Sequence, residues 1–326
     1  MPSLVGALAA GPVVLDGGLG TLLEARGNDL SSSLWSAQLL LDRPAEIRAA
    51  HEEFFAAGAR IAITASYQVG YEALEAEGLD PRAVDLLLIR SVQLARAARD
   101  AAGLDGRAWV AASVGPYGAT LADGSEYTGD YGLTVDELRA WHRPRLRALA
   151  AARPDILAIE TIPSLLEVQA IAAELRGLGV PAWLSVTIAD GRMRSGDDLA
   201  ATFAAAAAAA EIVAVGVNCC DADEVAPALA VAHAVTDRPL VAYPNSGELW
   251  DAEHRSWSGT GTPLASHVGE WVAAGARLVG GCCRVGPSQI ADVAAAVAAT
   301  AETDPRGRHH AMPADPVREA REEAGG

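Results

Sequence analysis

The sequence predicts an α/β protein built as a single (β/α)8 TIM barrel. Eight short apolar runs rich in β-branched residues recur along the chain, and alanine- and leucine-rich segments with helical spacing lie between most of them. Such alternation is typical of a parallel sheet flanked by helices, and eight repeats favour closure into a barrel over an open doubly wound sheet. The length of 326 residues is sufficient for one large core.

The eight predicted strands are residues 13–16, 61–66, 109–114, 156–161, 182–188, 212–219, 240–244 and 277–283. Helices are predicted between them, for example at 44–57, 84–102, 164–178 and 199–210. Residues 1–302 therefore form one predicted domain. The polar, charged and Pro/Gly-containing residues 303–326 indicate a flexible tail, where His309 and His310 are expected to be solvated.

Two longer irregular segments, 115–131 and 244–262, follow the third and seventh predicted strands. Both are rich in Gly, Tyr, Trp and Ser, which is typical of loops that shape a binding site.

The charge of the chain excludes several function classes. A net charge of −17 argues against nucleic acid as a partner, and it indicates either solubility or attraction of a cationic substrate. All 25 basic residues are arginine, so mechanisms that need a Schiff-base or phosphate-loop lysine are excluded. The sequence shows no apolar stretch long enough for a membrane span and no signal-peptide pattern, so we expect a cytoplasmic protein without membrane contact.

Polar residues cluster where the predicted strands end, which is where barrels of this kind carry their active sites. All four cysteines belong to this set. The strand ends carry Asp16-Gly17-Gly18, Thr64-Ala65-Ser66-Tyr67-Gln68, Glu160-Thr161, Asn218-Cys219-Cys220, Tyr243-Pro244-Asn245 and Gly280-Gly281-Cys282-Cys283.

Four cysteines at one rim of a cytosolic chain favour metal binding over buried packing or a disulfide. Zinc in a catalytic site takes three protein ligands and keeps an open position. Adjacent strand residues point to opposite faces, so Cys282 and Cys283 share a metal only if the backbone kinks, and Gly280 and Gly281 are expected to permit that kink. The third thiolate comes from the sixth run. Three thiolates favour alkyl transfer to a zinc-bound thiol over water activation.

Several motifs together resemble the homocysteine S-methyltransferase family, over about residues 12 to 300. The two that resemble its zinc signature are Gly216-Val217-Asn218-Cys219 and Gly280-Gly281-Cys282-Cys283. Further similar segments are Leu15-Asp16-Gly17-Gly18, Ser33-Leu34-Trp35-Ser36-Ala37, Ala62-Ile63-Thr64-Ala65-Ser66-Tyr67-Gln68, Ser113-Val114-Gly115-Pro116-Tyr117-Gly118, Ala122-Asp123-Gly124-Ser125-Glu126-Tyr127, Glu160-Thr161 and Tyr243-Pro244-Asn245-Ser246-Gly247-Glu248. The segments are most similar to the bacterial branch that uses a sulfonium methyl donor.

The resemblance implies a (β/α)8 barrel with one Zn²⁺ per chain, held by Cys219, Cys282 and Cys283. It also implies conversion of L-homocysteine into methionine, with S-methylmethionine or S-adenosylmethionine as methyl donor. Cys220 follows the expected ligand where many relatives carry another residue, and alternation predicts that its side chain points away from Cys219.

The resemblance also assigns residues to the substrates. Asp16 and Glu160 are expected to bind the ammonium group of homocysteine. Candidates for its carboxylate are Thr64 and the backbone at Gly17 and Gly18. Asn218 is expected either to orient a ligand or to cap the turn. Tyr243 is one of four tyrosines near the rim that are expected to contact a sulfonium methyl group; the others are Tyr67, Tyr117 and Tyr127.

Two other functions compete with methyl transfer. A zinc-dependent hydrolase on the same barrel requires His or carboxylate ligands and a general base. A non-enzymatic zinc- or thiol-sensing protein explains the cysteines but leaves Asp16 and Glu160 without a role. The expected partners are small molecules, and the expected assembly is a monomer or a small homo-oligomer.

Overall fold

The computed structural model describes residues 3–30, 36–121, 123–251, 256–259 and 261–303. Most of the Ser33 to Ala37 motif, Ala122, part of the second insertion and the predicted tail with His309 and His310 lie outside these residues. Among the described residues, no helix is both long enough and apolar enough to span a bilayer.

Eight parallel strands form the barrel, as the sequence predicts. Strand β1 lies beside β8, the order continues down to β2, and a bridge between Leu15 and Ile61 joins β2 back to β1. The strands β1 to β8 span Val13–Val14, Ile61–Ile63, Trp109–Val114, Ile156–Ile162, Ala182–Val186, Ile212–Asn218, Leu240–Tyr243 and Ala276–Val279.

Helices surround the barrel and alternate with its strands. The described α-helices, α1 to α12, are Leu4–Ala10, Leu19–Ala25, Ser36–Asp42, Pro44–Ala56, Tyr71–Ala76, Pro81–Ala101, Val135–Ala151, Leu165–Leu175, Leu199–Ala207, Val225–Val235, Val268–Ala273 and Pro287–Thr303. Local sequence explains their starts: Asp80 caps α6 ahead of Pro81, and Thr134 forms a capping box with Glu137 at the start of α7.

The core has two layers. The larger layer lies between the strands and the helices, and the smaller one fills the barrel interior. Helix α1, which the sequence pattern did not predict, contributes Leu4 and Leu8 to the interior layer, together with residues that begin the strands. The other buried members are Val13, Leu15, Ile61, Trp109, Ala111, Ile156, Ala158, Trp183, Ala214, Val241, Tyr243 and Leu278.

Short elements follow the carboxyl ends of β3 and β5. After β3, two 3-10 turns cover Tyr117–Thr120 and Ser125–Tyr127 within the first predicted insertion. After β5, Ile188–Ala189 pairs with Arg192–Met193 in a small hairpin that the sequence pattern did not predict.

Candidate active site

Three cysteine thiols meet at the carboxyl end of the barrel. The Sγ atoms of Cys219, Cys282 and Cys283 all lie within 4.8 Å of one another, and those of Cys219 and Cys283 are 3.9 Å apart. Cys219 directly follows β6, and the other two lie in the turn between β8 and α12. The structure therefore brings together the three residues that the resemblance selects, and among the described residues this is the group that could hold a metal ion.

The end of β7 fixes the backbone of all three cysteines. The Cys219 N–H donates to the carbonyl of Tyr243 at 3.3 Å, and the Cys282 N–H donates to that of Pro244 at 2.7 Å. The Cys283 N–H donates to the side-chain oxygen of Asn245 at 3.1 Å. Because these bonds do not involve the sulfur atoms, the thiols remain available as metal ligands.

The backbone bend differs from the expectation that Gly280 and Gly281 supply its flexibility. The left-handed conformations lie instead at Cys219, with φ of 51°, and at Arg284, with φ of 65°. The glycines are needed for close packing: a Cβ on Gly280 would lie 2.6 Å from the Leu15 Cβ, and one on Gly281 would lie 2.2 Å from the Val285 side chain. A left-handed, non-glycine residue is strained, and such strain concentrates at functional sites.

Cys220 lies apart from the thiol cluster. Its side chain is buried in the layer between the barrel and the helices, where the alternation of the sequence predicts it. Burial and the neighbouring Cys219 thiol raise the pKa of Cys220, so this residue is expected to remain a neutral thiol.

The three clustered thiols have opposing ionisation behaviour. Hydrogen bonds from Cys282 and Cys283 lower the pKa of Cys219, whereas their interactions with Cys219 raise the pKa of both partners. One thiolate in the cluster thus opposes ionisation of the others. A divalent cation removes this conflict, and an all-sulfur, three-residue donor set is one that zinc accepts with a coordination position left over.

Asp16 presents a buried carboxylate with an unused oxygen. It follows β1 and is fully buried. Its Oδ2 accepts a hydrogen bond from the N–H of Ile63 at 2.8 Å, whereas Oδ1 has no hydrogen-bond partner. Burial is the main cause that raises its pKa, and the charge of Glu160 raises it further. An unpaired buried carboxylate oxygen is costly, so this site favours a cationic ligand.

Glu160 occupies an irregular part of β4. The pairing of β4 with β5 shifts register between Ile159 and Ile162, and Thr161 has φ of 61°. This bulge re-aims the local side chains. The Glu160 carboxylate accepts hydrogen bonds from Ser113 Oγ at 2.5 Å and from the Tyr243 hydroxyl at 3.2 Å. Burial raises its pKa to about 7 despite these two donors.

Tyr243 and Asn218 are tied into the wall of the site. The Tyr243 hydroxyl contacts Ser185 Oγ at 2.5 Å and accepts from the Trp183 indole at 3.1 Å, in addition to its bond to Glu160. The Asn218 side chain accepts from the Thr161 N–H and donates to its Oγ1, both at 2.7 Å. Both side chains therefore hold other parts of the site in place.

The remaining predicted substrate residues differ in how free their polar groups are. The Thr64 hydroxyl is already paired with Ser66 Oγ at 2.8 Å and with the N–H of Ser113 at 3.0 Å. The Gly18 N–H donates to the Val285 carbonyl at 2.9 Å. A Cβ on Gly17 would lie 2.1 Å from the Val285 carbonyl oxygen, so glycine is required there by close packing.

Sequence reasoning assigned no role to Ser113, which donates to Glu160, or to Ser185, which contacts the Tyr243 hydroxyl. Ser113 and Ser185 both lie in otherwise apolar, fully buried strands, next to or at their carboxyl ends. A serine in such a run was the signal that could have identified them, since a buried hydroxyl requires a partner.

The comparisons with known proteins agree with this geometry. The family model for homocysteine S-methyltransferase matches residues 13–297. The homocysteine S-methyltransferase of Escherichia coli K12 is 45% identical over 288 residues, which cover 86% of this chain and 93% of the relative. A selenocysteine Se-methyltransferase from Brassica oleracea is 42% identical, with 86% and 87% of the two chains covered.

A solved structure supports the same assignment. The metallated form of the Escherichia coli homocysteine methyltransferase MmuM superposes with a TM-score of 0.79 at 43% identity, covering 87% of this chain and 96% of that one. The family model spans the barrel from β1 to β8 and all the strand ends that form the site. The chain therefore belongs to the homocysteine S-methyltransferase family of enzymes.

Proposed function

We propose that this enzyme uses one zinc ion, held by Cys219, Cys282 and Cys283, to transfer a methyl group from a sulfonium donor to L-homocysteine, giving methionine. The observation that carries the proposal is a cluster of three thiols at the same barrel mouth as two buried, electrostatically interacting carboxylates, Asp16 and Glu160. A substrate that carries both a thiol and an ammonium group matches both halves of this site.

The donor set supports zinc in particular. Three thiolates are soft ligands, and zinc bound by three protein ligands keeps a position for a substrate. Zinc, when bound, lowers the pKa of a coordinating thiol and so supplies a thiolate nucleophile at neutral pH. The metallated form of the MmuM relative supports a metal in this family.

The two carboxylates bind the ammonium of homocysteine. The unpartnered Oδ1 of Asp16 accepts one ammonium hydrogen, and Glu160, held by Ser113 and Tyr243, accepts another. Each charge-assisted hydrogen bond of this kind contributes about 1.5–3 kcal/mol. The ammonium also lowers the pKa of both carboxylates, because it replaces the missing positive charge.

The chemistry is a direct displacement. The substrate thiolate forms a bond to the methyl carbon while the bond from that carbon to the donor sulfur breaks, and the donor leaves as a neutral thioether. Anion and cation are both consumed, so no proton moves in this step and no general base is needed. The chain's contribution is to hold the two substrates in line, which converts an encounter of two molecules into a first-order step.

The rival functions fit the site less well. A zinc hydrolase requires His or carboxylate ligands, whereas the metal-competent group in the described part of the chain consists of cysteines alone. A thiol sensor does not require the interacting Asp16 and Glu160 pair.

The test is methionine formation from homocysteine with three donors at equal concentration. We expect S-methylmethionine to react fastest, S-adenosylmethionine more slowly and betaine hardly at all, because betaine recognition requires an aromatic cage and this chain has few aromatic residues. Chelation of the metal should abolish turnover, and added zinc should restore it. Turnover that persists after complete zinc removal would refute the metal role, and fastest turnover with betaine would refute the donor class.

A further inference from the structure

The loop after β3 brings a tyrosine from the surface to the thiol cluster. Tyr127 lies in the second 3-10 turn of this loop, and its hydroxyl is 3.5 Å from the Cys219 Sγ. The residue as a whole is 39% exposed, although its hydroxyl contacts the buried Cys219. Its ring therefore runs from the thiol cluster to solvent.

Glu126, beside this tyrosine, carries an unused carboxylate oxygen. Its Oε2 is buried without a hydrogen-bond partner, and Glu126 forms no ion pair with any residue that the structure describes. Burial and the charges of Cys219 and Asp123 raise its pKa. Since a partly buried carboxylate without a partner is costly, its position beside the cluster points to a cationic ligand.

Arg194 supplies a positive charge at the Tyr127 ring. It follows the small hairpin after β5, and its guanidinium lies 5.7 Å from the centroid of the Tyr127 ring. The side chain is exposed, and none of the ion pairs among the described residues includes Arg194. Arginine binds carboxylates through two parallel hydrogen bonds, so this guanidinium is available for an anionic group.

We propose that Glu126 and Arg194, which both lie next to Tyr127, form the binding site for the amino-acid end of the methyl donor. Glu126 binds the donor's ammonium group, and Arg194 binds its carboxylate. The inference rests on the proposed function, because it concerns the second substrate of that reaction.

The ammonium suits Glu126 better than the sulfonium does. The sulfonium charge disappears as the methyl group leaves, so a carboxylate bonded to it would stabilise the ground state more than the transition state and slow the reaction. The ammonium keeps its charge throughout. A carboxylate on that group therefore tightens donor binding without raising the barrier.

Two buried side chains, those of Glu167 and Arg145, fix the start of this loop. Glu167 Oε1 accepts hydrogen bonds from the Tyr117 N–H at 2.6 Å and from His142 Nε2 at 2.8 Å. The Arg145 guanidinium donates to the Gly115 carbonyl at 2.9 Å. Gly118, next to the fixed Tyr117, packs so closely on Glu126 that a Cβ there would lie 2.5 Å from the Glu126 backbone N. Glu126 is therefore positioned before the donor arrives, as a pre-organised binding group requires.

The experiment compares E126Q and R194Q with three sulfonium donors that carry different charged groups. S-Methylmethionine has both an ammonium and a carboxylate, dimethylsulfoniopropionate has the carboxylate alone, and trimethylsulfonium has neither. We expect E126Q to raise the KM for S-methylmethionine about ten- to a hundredfold and to leave the KM for the other two donors unchanged. R194Q should raise the KM for the first two donors and not for the third.

The control is D130N, which removes one exposed negative charge from the same loop. It should leave all three donor KM values unchanged, and none of the variants should alter the KM for homocysteine. A uniform effect of E126Q on all three donors, or a change in homocysteine KM alone, would overturn the assignment.

A binding measurement separates this inference from the proposed function. Calorimetric titration with S-methylmethionine should show binding to the unaltered protein and a ten- to hundredfold weaker binding to E126Q. If the protein forms no methionine with any donor, the proposed function fails, yet this titration still decides the site. Equal affinity of the two proteins, or no binding by the unaltered protein, overturns the site.

Discussion

The two ends of the barrel interior are built from different side chains. At the amino end, the strands begin with Val13, Ile61, Trp109 and Ile156, which are buried together with Leu4 and Leu8 of α1. At the carboxyl end the buried side chains are polar and include those of Asp16, Thr64, Ser113, Glu160 and Asn218.

The difference separates stability from function. The apolar end buries hydrocarbon surface and stabilises the fold. The polar end contains an unpartnered carboxylate oxygen and the left-handed residues Thr161 and Cys219, which all cost folding free energy. The first end stabilises the barrel sufficiently for the second to hold groups in the charge states and positions that ligands require. Substitutions at the apolar end should therefore lower stability and leave activity unchanged, whereas substitutions at the polar end should lower activity without a loss of stability.

The largest expected effect is at the thiol cluster. Cys219→Ser should lose the metal and reduce turnover by more than the roughly 10- to 100-fold typical of changes to residues that only contact a metal ligand, because it removes one of the three ligands that we propose. The matched control is Cys220→Ser, which should keep both, since Cys220 lies in the outer layer. Metal content by elemental analysis and initial rates measure the two outcomes. Full zinc in Cys219→Ser with loss in Cys220→Ser would place the ligand one residue later.

The second effect is at the amino end. Ile156→Ala removes a fully buried side chain at the start of β4 and should lower the free energy of unfolding by about 2–5 kcal/mol through the cavity that it leaves. Well below its melting temperature the variant should keep its kcat and KM. Chemical denaturation and steady-state kinetics test the pair of expectations. A changed KM for homocysteine with little loss of stability would show that the two ends are not separate.

The third effect is a gain in the free energy of unfolding, whereas the second is a loss. Burial raises the pKa of Glu160 from 4.5 to about 7, so between these values the unfolded chain has already lost a proton that the folded chain retains. Stability of the metal-free protein therefore falls as pH rises through this window, and the full penalty remains above it. Glu160→Gln should remove the penalty and raise stability at pH 8 by about 1–3 kcal/mol.

The same substitution should weaken homocysteine binding about ten- to a hundredfold, because the ammonium would lose the anionic partner that we propose for it. Denaturation of the metal-free protein at pH 5 and pH 8, and homocysteine saturation of the zinc form, measure the two effects. Equal stability gains at both pH values would contradict the ionisation argument, and unchanged saturation would make Glu160 structural.

Sequence pattern predicted the barrel and its strand positions well, because burial on both faces produces continuous apolar runs that end where polar residues begin. The third strand, residues 109–114, has the predicted bounds. The strand ends also identified Cys219, Asp16 and Glu160 as neighbours at one rim, since parallel strands place their carboxyl ends together.

What the sequence could not predict depends on long-range packing. The contact between Glu160 and Ser113 joins residues 47 positions apart. The left-handed conformation of Cys219 is imposed by its surroundings, because cysteine has no local preference for it. Gly280 and Gly281 show the same limit: the sequence indicated that glycine is needed, but only the packing against Leu15 and Val285 shows why.

The smallest predicted effect concerns left-handed backbone strain, which occurs at both ends of the barrel. Arg153 lies in the turn between α7 and β4, at the amino end, and has φ of 53° with an exposed side chain. Its N–H donates to the Ala150 carbonyl, and its own carbonyl accepts from Arg96. Glycine retains both backbone bonds and relieves left-handed strain of about 1–2 kcal/mol, partly offset by about 0.4–1 kcal/mol of extra entropy in the unfolded chain.

Arg153→Gly should therefore raise the free energy of unfolding by about 0.5–1 kcal/mol and leave turnover unchanged. Thr161→Gly is the matched change at the carboxyl end, since it relieves a similar φ of 61° but removes the hydroxyl that accepts from Asn218. It should lose turnover, because Asn218 and the neighbouring Glu160 are no longer held. Denaturation curves and initial rates of both variants decide the matter. Equal activity of the two variants would mean that the left-handed conformation of Thr161 is not needed for the function of the site.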